Sequence, residues 1–143
     1  MEVFTIGYEG ATQGEVVAAL LAAGVELLAD VRAVPLSRRP GFSKNILARG
    51  LREAGVDYIS LKALGTPPEG REAVRKHDHA RLARIYAGQL EFPETLAQMA
   101  QLRDLAAHRP TALLCFEREP RGCHRSLLVS AAFPEATVQH LFV

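Results

Sequence analysis

Four short runs of this chain leave almost no room for a solvent-facing strand side. They are "VFTIG" (3–7), "VELLADVR" (25–32), "VDYIS" (56–60) and "PTALLCF" (110–116). A strand with one face in water alternates apolar and polar residues, and these runs are continuously apolar, so both faces must be covered. The segments between them carry helix signals. Thr12-Gln-Gly-Glu15 is a capping box that opens "VVAALLAAG", and Gly24 ends that helix. Ser43 is placed to cap a helix running to Ala54, with Gly55 terminating it, and Pro93 sits at the first position of "PETLAQMAQLRDLAAH". Shorter helical pieces run to about Leu90, a further helix is expected from Cys123 to Phe133, and "TVQHLFV" reads as a last strand. Strands that alternate with helices and need cover on both faces predict one α/β domain over residues 1–143, with a mostly parallel central β-sheet flanked by helices. These patterns do not set the strand order or the oligomeric state.

Composition narrows the functional classes. With 48% hydrophobic residues the chain can build a conventional core, and no apolar run approaches the ~20 residues of a membrane span. The start, "MEVFTIGYEG", lacks a basic leader and reads as a strand. Two cysteines do not make a disulfide framework, so a reducing, cytoplasmic setting is expected. Net charge is only +1, yet Val31–Arg52 holds six basic residues (Arg32, Arg38, Arg39, Lys44, Arg49, Arg52) and no acidic one. Nucleic acid is therefore a candidate partner locally, although the overall charge and a pI of 7.9 argue against it as the main one.

A parallel sheet places ligands beyond the C-terminal ends of its strands. The first strand is followed by Tyr8 and Glu9, and the second ends in Asp30 and Arg32 with Ser37 and Arg38 close behind. After the third comes Leu64-Gly65-Thr66. The fourth ends in Cys115 and Glu117, then Arg121, Cys123, His124 and Arg125. Four separate stretches thus converge on one rim.

The last of them, "LLCFEREPRGCHRS", holds both cysteines. Cys115 is flanked by apolar residues and is expected to be buried and inert. Cys123 lies at a helix start beside His124, Arg121 and Arg125, where a thiolate is favoured, and is expected to be exposed and reactive. Cys115 to Arg121 has the C-x5-R spacing of cysteine phosphatases and rhodaneses, but the intervening "FEREP" has two glutamates and no glycine, against what a phosphate cradle needs. There is no C-x2-C pair, and adjacent Cys123 and His124 side chains diverge from a turn, so no metal site is expected. No cofactor motif is present.

At "TIGYEG", "DVRAVPLSRRPGFSK", "LG" and "LLCFEREPRGCHRS" the chain resembles the bacterial and archaeal family catalogued as domain of unknown function 488. The resemblance covers nearly the whole chain and implies an α/β domain of about this length. It supplies no reaction. The segment from Pro67 to Leu90 matches no landmark of that family.

Two functional classes follow from the residues. One is an enzyme acting on an anionic, phosphate-bearing substrate such as a nucleotide or nucleic acid. There Arg32 and Arg38 grip the anion, assisted by Tyr8, Asp30, Ser37, Arg121 and Arg125. Glu117 or Glu9 serves as general acid or base, His124 as proton shuttle and Cys123 as nucleophile. The other is a non-catalytic module that binds nucleic acid or protein through the same arginines. Rhodanese-like or phosphatase-like chemistry at Cys115 is a third alternative, and a purely structural ion-pair network of Asp30, Arg32 and Glu117 a fourth.

Overall fold

The computed structural model describes all residues, Met1–Val143. Five strands alternate with six α-helices: β1 (Glu2–Gly7), α1 (Gln13–Ala22), β2 (Leu27–Asp30), α2 (Lys44–Glu53), β3 (Asp57–Ser60), α3 (Pro68–Arg75), α4 (His79–Gln89), α5 (Pro93–His108), β4 (Thr111–Cys115), α6 (His124–Ala132) and β5 (Thr137–Leu141). Short 3-10 turns occupy Lys62–Leu64 and Pro120–Gly122. All strand pairs are parallel, in the order β3-β2-β4-β1-β5. The α/β architecture with a parallel sheet is as the sequence predicts.

Alternate residues of the inner strands feed two separate cores. Phe4, Ile6, Leu28, Ala112 and Leu114 pack with Val16 and Leu20 of α1 and with Leu47 and Leu51 of α2. Val3, Ala29, Val31 and Leu113 point the other way, onto Tyr86 of α4, Leu102 of α5 and Leu128 and Val129 of α6. Each core is therefore one face of the sheet plus one helical layer, the period-two consequence of the pleat. The expectation of burial on both faces holds for β1, β2 and β4 but not for β3, and β3 and β5 alike have only partly covered or exposed residues. These are the edge strands, and "VDYIS" and "TVQHL" carry the polar residues that an edge tolerates.

The predicted helix boundaries reflect local chemistry. Thr12 accepts from the Glu15 amide while Glu15 Oε1 accepts from the Thr12 amide, closing the capping box. Gly24 adopts φ +76°, a conformation few other residues take at low cost. Ser43 flanks α2 without capping it, because its hydroxyl exchanges hydrogen bonds with the backbone of Ser37 instead.

Gly65 is the close contact that seats the segment after β3 against the end of β2. A Cβ there would lie 2.2 Å from the Ala33 nitrogen, backbone that cannot swing aside. Gly88, within α4, has open space around it. Gly65→Ala should therefore destabilise the fold by about 2–3 kcal/mol, and Gly88→Ala should stabilise it by about 0.5–1 kcal/mol. Denaturant midpoints at unchanged slope check both.

Candidate functional site

Two buried arginines shape the floor of the C-terminal rim. The first is Arg32, just past β2. Its Nε and Nη2 donate to the two oxygens of Asp30 at 2.8 and 2.6 Å, and its Nη1 donates to the Phe42 carbonyl at 2.8 Å and to the Tyr8 hydroxyl at 3.1 Å. Asp30 also accepts from the Tyr58 hydroxyl at 2.5 Å and from the Arg32 amide at 3.1 Å. Burial works to lower the Arg32 pKa, but the bond to Asp30 and its charge outweigh it, so the guanidinium stays firmly charged. Burial and Asp30 likewise raise the Tyr58 phenol, keeping it a donor. Tyr8 stacks on Phe42 at 4.3 Å and meets the Phe116 edge at 5.3 Å, fixing the aromatic wall above this pair.

The second is Arg125 of α6, which is fully buried. Nη1 donates to the Glu117 carbonyl at 2.5 Å and to Cys115 Sγ at 2.9 Å, and Nη2 donates to the Arg118 carbonyl at 3.0 Å. The loop after β4 thus wraps a cation that belongs to the protein and turns carbonyls inward rather than amides. Both requirements of a C-x5-R anion cradle are missing: inward amides, and an arginine at the cradle, since Arg121 is exposed and lies off the cavity. Gly7, paired with Cys115, leaves the room this loop occupies, because a Cβ there would fall 1.8 Å from the Glu117 carbonyl oxygen.

Above this floor lies a cavity of about 380 Å³ lined by Tyr8, Arg32, Thr66, Cys115, Glu117 and His124 together with an apolar wall that includes Val34, Leu36, Val74 and Phe116. The Glu117 carboxyl makes no hydrogen bond to another residue. Burial raises its pKa to about 7, against the Arg125 charge and with help from Glu9. His124 is buried, and its Nε2 lies 2.8 Å from the Val31 carbonyl. A carbonyl only accepts, so Nε2 carries the proton and Nδ1 is a bare acceptor. Burial lowers the His124 pKa to about 4 although the Val31 carbonyl works the other way, and Arg125 adds to the lowering. The ring is neutral near pH 7.

Other predicted residues do not face the cavity. Asp30 lies beneath it, held by Arg32 and Tyr58. Glu9 is exposed, and its Oε1 accepts from the Arg118 amide at 3.0 Å, so it ties the β1 loop to the β4 loop. Ser37 holds its own turn through the Arg39 amide, and Arg38 is exposed beyond the lining residues. Cys123 is a correction. It is 1% exposed rather than accessible, because the turn at Pro120–Gly122 folds it inward, where its sulfur accepts from the Arg125 amide at 3.4 Å. Cys115, as buried as expected at 2% exposure, is nevertheless the cysteine that borders the cavity. The proposed structural network is real for Asp30 and Arg32 but omits Glu117.

Arg71 and Arg75 were not among the residues singled out in the sequence. They project from one face of α3 to the cavity mouth, in the segment without a recognisable landmark. Arg71 gives one donor to the Thr66 carbonyl at 2.9 Å, and Arg75 is exposed with no ion pair or hydrogen bond. Their R-x3-R spacing, one helical turn apart, was the available signal. A metal centre has some raw material, since Cys115, Cys123 and Glu117 bring ligand atoms within 4.8 Å of one another. The Arg125 guanidinium against Cys115 Sγ opposes a dication there.

Two measurements follow. Asp30→Asn leaves the Arg32 charge buried without its counter-ion and should cost about 3–5 kcal/mol in chemical denaturation. For Glu117 the folded pKa of about 7 exceeds the unfolded carboxylate value, so the neutral carboxyl contributes stability below about pH 4.5 that is lost as pH rises through 7. His124 has the opposite sign: its contribution is complete above about 6.5 and lost as pH falls through 4. Glu117→Gln should therefore gain on the wild type by about 1–2 kcal/mol between pH 4.5 and 8, allowing for solvent reaching the carboxyl through the cavity.

The family model described as "Domain of unknown function DUF488" matches residues 12–132, leaving β1 and β5 outside the match. Neither the curated proteins nor the solved structures include a match. The match spans most of the chain, from the capping box to the end of α6, and the protein belongs to the DUF488 family.

Proposed function

We propose that this protein is a small enzyme that binds a phosphate-bearing molecule, such as a nucleotide, in the cavity at the C-terminal rim and transfers a proton to or from it through Glu117. The observation that carries the reading is the Glu117 carboxyl. It makes no hydrogen bond to another residue, lines a cavity of about 380 Å³ and titrates at about 7. A general acid or base works best with a pKa near the working pH.

The surroundings suit an anion with an apolar part. Arg71 and Arg75 flank the mouth, while Val34, Leu36, Val74 and Phe116 supply the apolar wall. The anion-gripping role moves to α3, because four of the five Arg32 N–H groups are engaged inside the protein and Arg38 does not line the cavity. His124 Nδ1 offers an uncharged acceptor to a substrate hydroxyl or amine. A cavity of this size is at the small end of the range for compact ligands.

Calorimetric titration with adenosine monophosphate and with inorganic phosphate tests the binding. Arg75→Ala should weaken the nucleotide about tenfold, the loss expected for one charge-assisted contact, and added salt should weaken it in the wild type. Phosphate release from a panel of phosphate monoesters tests the chemistry, and its pH profile should lose a break near 7 in Glu117→Gln. Unchanged affinity in folded Arg75→Ala overturns the anion reading. Binding without turnover of any ester favours the non-catalytic binding module instead.

A further inference from the structure

The two cysteines play no part in that reaction, yet the fold brings them together. Cys115 ends β4 and Cys123 caps α6, and the intervening loop closes so that their Sγ atoms lie 2.7 Å apart. Both thiols are free and buried. A covalent bond of ~2.05 Å forms from this separation with a small shift of either side chain. The environment is asymmetric. Cys115 borders the cavity and Cys123 does not, so a small reagent entering from solvent meets Cys115 first.

Arg125 completes the arrangement. Its Nη1 donates to Cys115 Sγ at 2.9 Å, its amide donates to Cys123 Sγ at 3.4 Å, and its buried Nε has no acceptor at all. A permanent buried cation beside two sulfurs favours negative charge on either of them. Burial, and then the neighbouring Cys123, push the Cys115 thiol up, so Cys115 rests as the protonated thiol.

We propose that Cys115 and Cys123 are a reversible dithiol–disulfide couple whose oxidant is a hydroperoxide admitted through the cavity. The inference stands on the cysteine geometry and does not depend on the phosphate reading. In the first step Cys115 Sγ attacks one peroxide oxygen and the O–O bond breaks. The departing hydroxide takes the thiol proton as water (an alcohol, for an organic hydroperoxide), and Cys115 becomes a sulfenic acid. Cys123 Sγ then attacks Cys115 Sγ, the S–O bond breaks, and a second water leaves with the Cys123 proton. Two thiols lose two electrons and the peroxide gains them. The disulfide also makes the Cys115 sulfur a weaker acceptor for Arg125 Nη1, loosening one of the three contacts of that guanidinium beside the loop carrying Glu117.

The test treats the reduced, native, full-length protein with hydrogen peroxide, then denatures, alkylates and weighs it. The expected product has lost both alkylatable thiols together with the mass of two hydrogen atoms, and dithiothreitol restores them. Cys123→Ala should stop at a Cys115 sulfenic acid that dimedone captures. If that variant fails to fold, the wild-type mass alone decides. The proposal falls if peroxide drives a single cysteine to sulfinic or sulfonic acid without a disulfide, or if both thiols stay unreacted until the protein is unfolded. It also falls if the protein takes up one equivalent of zinc that shields both thiols until a chelator removes it.

Discussion

A guanidinium never gives up its proton inside a protein, so burying one obliges the surrounding chain to supply acceptors. Arg125 imposes that obligation on the rim. It lies at 0% exposure without a hydrogen-bonded carboxylate, and the groups that answer it are two carbonyls of the β4–α6 loop and the sulfur of Cys115. Turning the Glu117 and Arg118 carbonyls inward fixes the course of the loop. That course brings the Glu117 carbonyl so near β1 that only a residue without a Cβ fits at Gly7. The Glu117 side chain is left facing the cavity, and α6 is latched to the strand it follows.

The Arg32–Asp30 pair does the same for the other half of the rim, and His124 joins the two. Its Nε2–H reaches the carbonyl of Val31, between Asp30 and Arg32, while its backbone starts the helix that carries Arg125. One permanent cation, Arg125, is buried beneath the rim, and another, Arg32, lines the cavity paired with the Asp30 carboxylate. Burial disfavours a charge on His124, and Arg125 adds to that against the Val31 carbonyl and Asp30, so the ring is neutral. The same desolvation acts on Glu117 with the opposite sign, keeping a carboxyl protonated well above its usual range. One cation-floored rim thus produces a neutral histidine and a half-protonated glutamate that line the same cavity.

Much of this was legible in the sequence because parallel sheets impose it. Unbroken runs such as "TALLC" can only be interior strands, and the residues that follow interior strands must meet at one edge; Tyr8, Arg32, Glu117 and His124 do line one cavity there. The fate of individual side chains was not legible. Cys123 at a helix start looks exposed in sequence, and only the turn at Pro120–Gly122 reverses it. Arg32 looks like an anion ligand until Asp30, two residues earlier, proves to match its fork in three dimensions. The edge strand β3 was misjudged because "VDYIS" says nothing about which strands have neighbours on both sides.

The arginines show why such misreadings have a direction. Residues immediately after an interior parallel strand sit above the sheet with little water within reach, so a charge placed there must be neutralised by the chain itself. Arg32 finds Asp30 in that way, and Arg125, on the first turn of α6, finds loop carbonyls. A helix lying beside the rim has a free outer face, and cations on it keep their hydration until a ligand replaces it. Arg75 is in that position, one turn from Arg71, with Lys76 and Arg81 of the same region drawn off by Glu72. Strand-end arginines are thus suited to holding the shape of the site, and the arginines of α3 to meeting what enters it. The division follows from where water can reach each guanidinium, and it assigns contact to the segment with the least recognisable sequence.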